Sequence, residues 1–169
     1  NCIGVGFTIY PGSEFNFKLI EEACSLFREA KEAGLITVLW AYARGNISKK
    51  GETAVNIISY AAHMACLCGA HIIKVKLPTS YLEEDSTKNS YITNNIKINS
   101  ATDRVRIIKR SCFNGKRIVV FSGGEAKNDN ELLNEVKAIK EGGGNGSIVG
   151  RNCFQRPKQK ALDLLEKMF

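Results

Sequence analysis

The sequence predicts an α/β fold built on a parallel β-sheet. Five short runs rich in apolar and β-branched residues, at about residues 2–9, 35–42, 72–77, 117–122 and 147–149, alternate with five stretches of helical character. Each pair of runs is separated by enough chain for a right-handed helical crossover. No G-x-G-x-x-G follows a strand and opens a helix, and no G-x-x-x-x-G-K-[ST] occurs, so nucleotide-binding versions of the fold lose support. Two architectures remain on pattern alone: an open doubly wound sheet, or part of a (β/α)8 barrel whose other strands are absent from this sequence.

Residues 2–9, Cys-Ile-Gly-Val-Gly-Phe-Thr-Ile, form the first strand, and Tyr10-Pro11-Gly12-Ser13 a turn. Ser13 or Asn16 is placed to cap a helix running to about Ala33, with Leu19, Ala23, Leu26, Phe27 and Ala30 as its apolar stripe. Gly34 ends it. Residues 35–42 make the second strand, and Arg44-Gly45-Asn46 begins a loop. A helix spans about 52–68 and stops at Gly69; the third strand follows. Residues 79–100, rich in Ser, Thr and Asn, carry no period and read as a long loop or insertion. A helix over about 102–112, the turn Asn114-Gly115 and the strand 117–122 come next, with Gly123-Gly124 opening a loop. Residues 129–141 are helical up to Gly142-Gly143-Gly144. Ser147-Ile148-Val149 is a short strand, and a last helix starts near Pro157 and runs to the end.

A chain of 169 residues, 44% hydrophobic and 24% charged, has the composition of one soluble globular domain. No apolar run approaches the roughly 20 residues of a membrane span. The first residues lack the basic start and apolar core of a signal peptide, and Asn1 stands where an initiator Met would, which suggests a start further upstream. The net charge of +7 fits nucleic-acid binding or anionic small substrates. The cations are scattered and no basic run is interleaved with aromatics, which favours the small substrates. Six cysteines in a core-rich chain read as reduced thiols. His63, Cys66, Cys68 and His71 have ligand chemistry for zinc, but Cys66 and Cys68 fall on different sides of a helix, so buried thiols are the better reading.

The third strand holds the chemistry. Ile73, Val75 and Leu77 share one face, and Lys74 and Lys76 share the other. An edge strand with a wet face would accommodate the two lysines. The alternative is a catalytic amine: partial burial and a nearby second ammonium lower a lysine's pKa and free the lone pair that attacks a carbonyl. In parallel α/β folds the site lies at the carboxyl ends of the strands. There the second strand brings Trp40, Tyr42 and Arg44, the fourth Ser122-Gly123-Gly124, and the fifth Gly150-Arg151. Glycines let backbone N–H groups approach a phosphate, and Arg151 adds a charged donor; ordinary βα turns would look the same. Tyr42 is placed to move a proton beside a lysine, or is a buried aromatic tied to backbone. Glu52, Glu83, Glu84 and Asp85 read as solvated charge.

Five stretches resemble the archaeal/bacterial-type class I fructose-bisphosphate aldolases, within the Schiff-base aldolases that include deoxyribose-phosphate aldolase. They are Gly6-Phe7-Thr8-Ile9-Tyr10-Pro11-Gly12-Ser13, Leu39-Trp40-Ala41-Tyr42-Ala43-Arg44-Gly45, Gly69-Ala70-His71-Ile72-Ile73-Lys74-Val75-Lys76, Val119-Val120-Phe121-Ser122-Gly123-Gly124, and Gly150-Arg151-Asn152-Cys153-Phe154-Gln155-Arg156. The resemblance implies a (β/α)8 TIM barrel, of which residues 1–169 are the fourth to eighth βα units with an inserted segment at about 79–114. The first three strands, and an early-strand acidic residue, would lie elsewhere in the same protein. It further implies Lys74 as the Schiff-base lysine, Lys76 as its charged neighbour, Tyr42 as the proton-transfer residue and Trp40 as lining the sugar site. Ser122, Gly123, Gly124, Gly150 and Arg151 become the phosphate cradle, with Arg44 also binding substrate. The enzyme would need no metal or cofactor, would bind neither nucleic acid nor membrane, and would work on a phosphorylated sugar in the cytoplasm as a homo-oligomer. Ala43 replaces the family's usual proline, which would loosen the turn before Arg44. The alternatives are a related Schiff-base aldolase, transferase or thiolase on another phosphorylated ketose or ketoacid, or a non-catalytic phosphate- or nucleic-acid-binding domain, marked by steeply salt-dependent binding to random DNA.

Overall fold

A computed structural model describes residues 2–124 and 127–168. Five strands, β1 (Gly4–Ile9), β2 (Ile36–Ala41), β3 (Ile72–Lys76), β4 (Ile118–Ser122) and β5 (Gly146–Ile148), form one sheet in the order β1-β2-β3-β4-β5, every pair parallel. A doubly wound sheet reverses its strand order at a switch point. This one never does, which is the order of a barrel wall. The lysine-bearing β3 lies in the middle, hydrogen-bonded on both sides, so the edge-strand reading fails.

The two faces of the sheet differ. Leu39, Ala41, Ile73, Val75, Val119 and Phe121 are fully buried against the helices α1 (Asn16–Glu32), α2 (Val55–Leu67), α4 (Ala101–Ser111) and α5 (Asp129–Glu141). Ala61, Ala62 and Ala65 of α2 and Phe27 of α1 belong to the one buried cluster that covers this face. The opposite face carries Trp40, Lys74, Lys76, Val120 and Ser122, all half-buried.

Four elements depart from expectation. The stretch 79–100 contains a helix, α3 (Asp85–Thr93), with no buried residue; it shows no apolar period because it has no buried face. The expected helix at 52–68 is broken at Ala54, whose backbone is extended (φ −60°, ψ 136°). A 3-10 turn, Gly51–Thr53, precedes the break, and α2 starts at Val55. A short helix α6 (Arg151–Phe154) comes ahead of α7 (Lys158–Met168), the expected final helix, whose last residue Phe169 lies outside the described residues. Neither Ser13 nor Asn16 caps α1: Phe15 is its N-cap, without a side-chain acceptor, and the Ser13 hydroxyl accepts from Phe15 N one residue too early. Among the described residues no helix is long and apolar enough to cross a membrane.

Candidate active site

Residues at the carboxyl ends of β2, β3, β4 and β5 line one cleft of about 1290 Å³. Strand register determines who meets whom. Trp40 pairs with Lys74, Lys74 with Val120, and Lys76 with Ser122, so both lysines stand on the open face in adjacent rows. Lys74, Lys76, Tyr42, Arg44, Ser122, Gly123, Gly124, Gly150 and Arg151 all line the cleft. Trp40 does not. Its indole lies over Gly6 on the neighbouring strand, where an added Cβ would sit 2.1 Å from Cζ3.

Lys74 is half-buried, and burial holds its amine below the usual lysine range. The second ammonium expected to help does not contribute. Lys76 Nζ is 2.8 Å from Glu52 Oε2, so its charge is paired. Glu52 is therefore not solvated charge: its side chain is 18% exposed, and hydrogen bonds from Lys76 and then Lys49 hold it below the ordinary carboxylate range. Nothing in the sequence announces a pair 24 residues apart.

Tyr42 follows β2 directly. Burial raises its phenol above the usual range, while the Ser122 side chain and the charges of Lys76 and Arg44 pull the other way. Arg44 stacks over the Tyr10 ring at 5.6 Å. The turn carrying it is not loosened by Ala43. Ala43 is fully buried, Arg44 N donates to Pro11 O at 3.0 Å, and Asn46 N donates to Gly12 O at 2.8 Å. Gly12 and Gly45 both have positive φ, and a Cβ on Gly45 would lie 2.4 Å from Gly12 O, so this crossing of two loops needs glycine.

The glycine turns at the far end are tied together through α6. Asn152 Nδ2 donates to Gly123 O and Asn152 Oδ1 accepts from Lys127 N, at 3.2 and 2.7 Å. Arg151 Nη2 donates to Gly124 O at 3.1 Å, and Gly124 has φ +67° with open space where a Cβ would stand. Arg156 donates to Asn152 O and Lys127 O and pairs with Asp129, locking the loop after β4 to the loop after β5. Sequence reasoning included Arg156 in a matching stretch without assigning it this role.

The segment 79–114 reaches the rim. Arg104 of α4 lines the cleft and donates to Pro78 O, Ile98 O and Asn99 O, each at 2.8 Å. Glu83, expected in solvent, accepts from Ser48 N and Ser48 Oγ at 2.9 and 2.7 Å and so braces the loop that carries Glu52. His63 is engaged with Ser111 O and His71 with Thr37, rather than with the cysteines between them. Among the described residues no cluster of three or more His, Cys, Asp or Glu is placed to hold a metal.

The other lysines and arginines lining the cleft thus have hydrogen-bond or ion-pair partners, apart from Arg44, which has the Tyr10 ring; among the described residues, Lys74 Nζ has no hydrogen-bond, ion-pair or ring partner. A half-buried, unpaired amine facing a cleft is suited to carbonyl addition.

The profile of the DeoC/LacD family aldolases matches residues 1–156. The chain belongs to that family. A fructose-bisphosphate aldolase class 1 of Thermoproteus tenax is 35% identical over 153 residues, covering 90% of this chain and 49% of that protein. The fructose-bisphosphate aldolase class 1 of Halobacterium salinarum is 36% identical, covering 96% of this chain and 53% of that protein. An archaeal fructose-1,6-bisphosphate aldolase, solved with its catalytic Lys covalently bound to the carbinolamine intermediate of the substrate, superimposes with a TM-score of 0.76 at 31% identity, over 98% of this chain and 58% of its own. The chain therefore spans about half the length of the relatives it matches, and its five-stranded sheet is part of a (β/α)8 barrel.

Proposed function

We propose that this chain carries the Schiff-base half of a class I fructose-bisphosphate aldolase, cleaving fructose 1,6-bisphosphate reversibly to dihydroxyacetone phosphate and glyceraldehyde 3-phosphate. The observation that carries the reading is the unpaired, half-buried Lys74 amine at the carboxyl end of the central strand, in one cleft with the Tyr42 phenol. The neutral amine adds to the ketone carbon, and loss of water leaves an iminium. Beside the positive iminium Tyr42 gives its phenolic proton to water; the resulting phenolate takes the proton of the C4 hydroxyl as the C3–C4 bond breaks, and the bonding electrons flow into the iminium to give an enamine. Glyceraldehyde 3-phosphate leaves. Tyr42 returns the proton to C3, and water hydrolyses the iminium to release dihydroxyacetone phosphate and the free lysine.

Ser122, Gly123, Gly124, Gly150 and Arg151 hold the phosphate next to the ketone, with Arg44 binding further along the sugar. Trp40 acts from the neighbouring row by packing against Gly6 rather than by lining the cleft. The six thiols are unpaired, which suits a reducing compartment such as the cytoplasm. The enzyme works as a homo-oligomer, and the exposed Phe15 and Phe17 at the start of α1 are of the type that subunit contacts cover.

The test is borohydride trapping of the full-length protein with dihydroxyacetone phosphate, followed by site mapping. A stable adduct on Lys74, absent in Lys74→Ala, supports the proposal. An adduct on another residue, or none alongside intact cleavage of the bisphosphate, defeats it.

A further inference from the structure

Two amines stand two residues apart on one face of one strand, and a ketone entering the cleft meets both. The structure treats them differently. Glu52 divides its carboxylate between Lys76, at 2.8 Å, and Lys49, at 3.2 Å. Lys49 is 90% exposed and its contact is weak, whereas Lys76 and Glu52 are 25% and 18% exposed and form the strong pair. The loop delivering Glu52 is rigid: Glu52 N donates to Ser48 O, Gly51 N donates to Ser48 Oγ, and Glu83 grips Ser48.

The geometry points to Glu52 as a positioning residue that selects the reacting amine: by binding the Lys76 ammonium it withholds that nitrogen from the carbonyl and leaves Lys74 to attack. This rests on the Schiff-base reading of the cleft and adds to it a device for choosing between the two lysines. It also accounts for the field at Lys74. The neighbouring groups are Tyr42 after β2, Arg44, Lys49 and Glu52 in the following loop, and Lys76 on β3 itself. Arg104 on α4, the Lys127–Glu135 pair around α5 and Arg151 at α6 complete the lining. With Glu52 ionised, the Lys76–Glu52 pair is close to neutral and exerts little field on Lys74, whose amine is depressed by burial. Removing the carboxylate charge exposes Lys74 to an uncompensated ammonium.

The test uses the full-length protein, Glu52→Gln, Lys76→Met and the double variant, with two readouts. The first is borohydride trapping with dihydroxyacetone phosphate, each lysine resolved by fragment-ion mass spectrometry. The second is competitive acylation across pH, which reports the titration of Lys74 without requiring turnover. Wild type should carry adduct on Lys74 alone, whereas Glu52→Gln should divide it between Lys74 and Lys76. In Glu52→Gln the Lys74 titration should also move down by about one pH unit, the size of effect a close like charge exerts. In the Lys76→Met background the Glu52→Gln shift should vanish. Adduct confined to Lys74 with an unmoved titration in Glu52→Gln overturns the inference, as does a shift that persists in full without Lys76. Wild type carrying no adduct on either lysine defeats the aldolase reading itself, a result distinct from both.

Discussion

Gly6→Ala places one methyl group against the ring that shares a row with Lys74. The substituted carbon would lie 2.1 Å from Trp40 Cζ3 and 2.5 Å from Cη2. Carbon atoms in contact sit about 3.5–4.0 Å apart, so the ring has to retreat by about 1.5 Å or the strands have to part. Overpacking of this kind costs about 1–3 kcal/mol. Gly6 is not among the glycines with positive φ, so alanine also returns about 0.4–1 kcal/mol by restricting the unfolded chain. The net expectation is a loss of about 1–2 kcal/mol. In urea titrations of the full-length protein this appears as a lower midpoint at unchanged slope. Because Trp40 is the register partner of Lys74, kcat should fall as well. Trp40→Phe removes the two clashing ring atoms, so Gly6→Ala should cost less in that background, with a coupling above about 0.5 kcal/mol. A Gly6→Ala protein as stable as wild type, or equally destabilised in both backgrounds, would refute the packing argument.

Lys74→Met should abolish adduct formation and yet stabilise the fold. The lysine's folded pKa is lowered, so between that value and 10.5 the unfolded chain binds more protons. The penalty on the charged form is thus fully present below the folded pKa and fades as pH rises through the window. Melting should show a higher midpoint at pH 7, by a margin that shrinks as pH rises through this window toward 10.5; a loss of stability at neutral pH would count against it. Tyr42→Phe should lower kcat by about 10²–10⁴ while leaving borohydride trapping intact, since iminium formation does not use the phenol for carbon–carbon cleavage. Arg156→Met should loosen the two glycine turns and raise KM about tenfold for the phosphorylated substrate, with kcat changed less; an equal effect on a substrate lacking the phosphate would place Arg156 outside the cradle.

Much of the site could be read from residue order because it is built from strand ends. Alternation along Ile72–Lys76 separates the buried Ile73 and Val75 from Lys74 and Lys76 without any tertiary knowledge, and the glycines after β4 and β5 mark their own turns. Features that need two distant segments to meet were not readable. Glu52 looks like any charge in a loop until the loop folds over β3. The ring of Trp40 goes to Gly6 because β1 lies alongside β2 in a specific register. The cause of the Lys74 shift was misassigned for the same reason: a partner for Lys76 could not be seen. Helix α3 was missed because period-based reading detects a buried stripe, and α3 has none.

The grip of Glu83 on Ser48 has an evolutionary corollary. Glu83 stands at the start of the 79–114 stretch, and Ser48 at the start of the turn that presents Glu52. A relative in which this stretch were shortened would lose the brace and would need another anchor for the turn. A surface segment remote from the reacting atoms then comes under selection through the side chain it keeps in place.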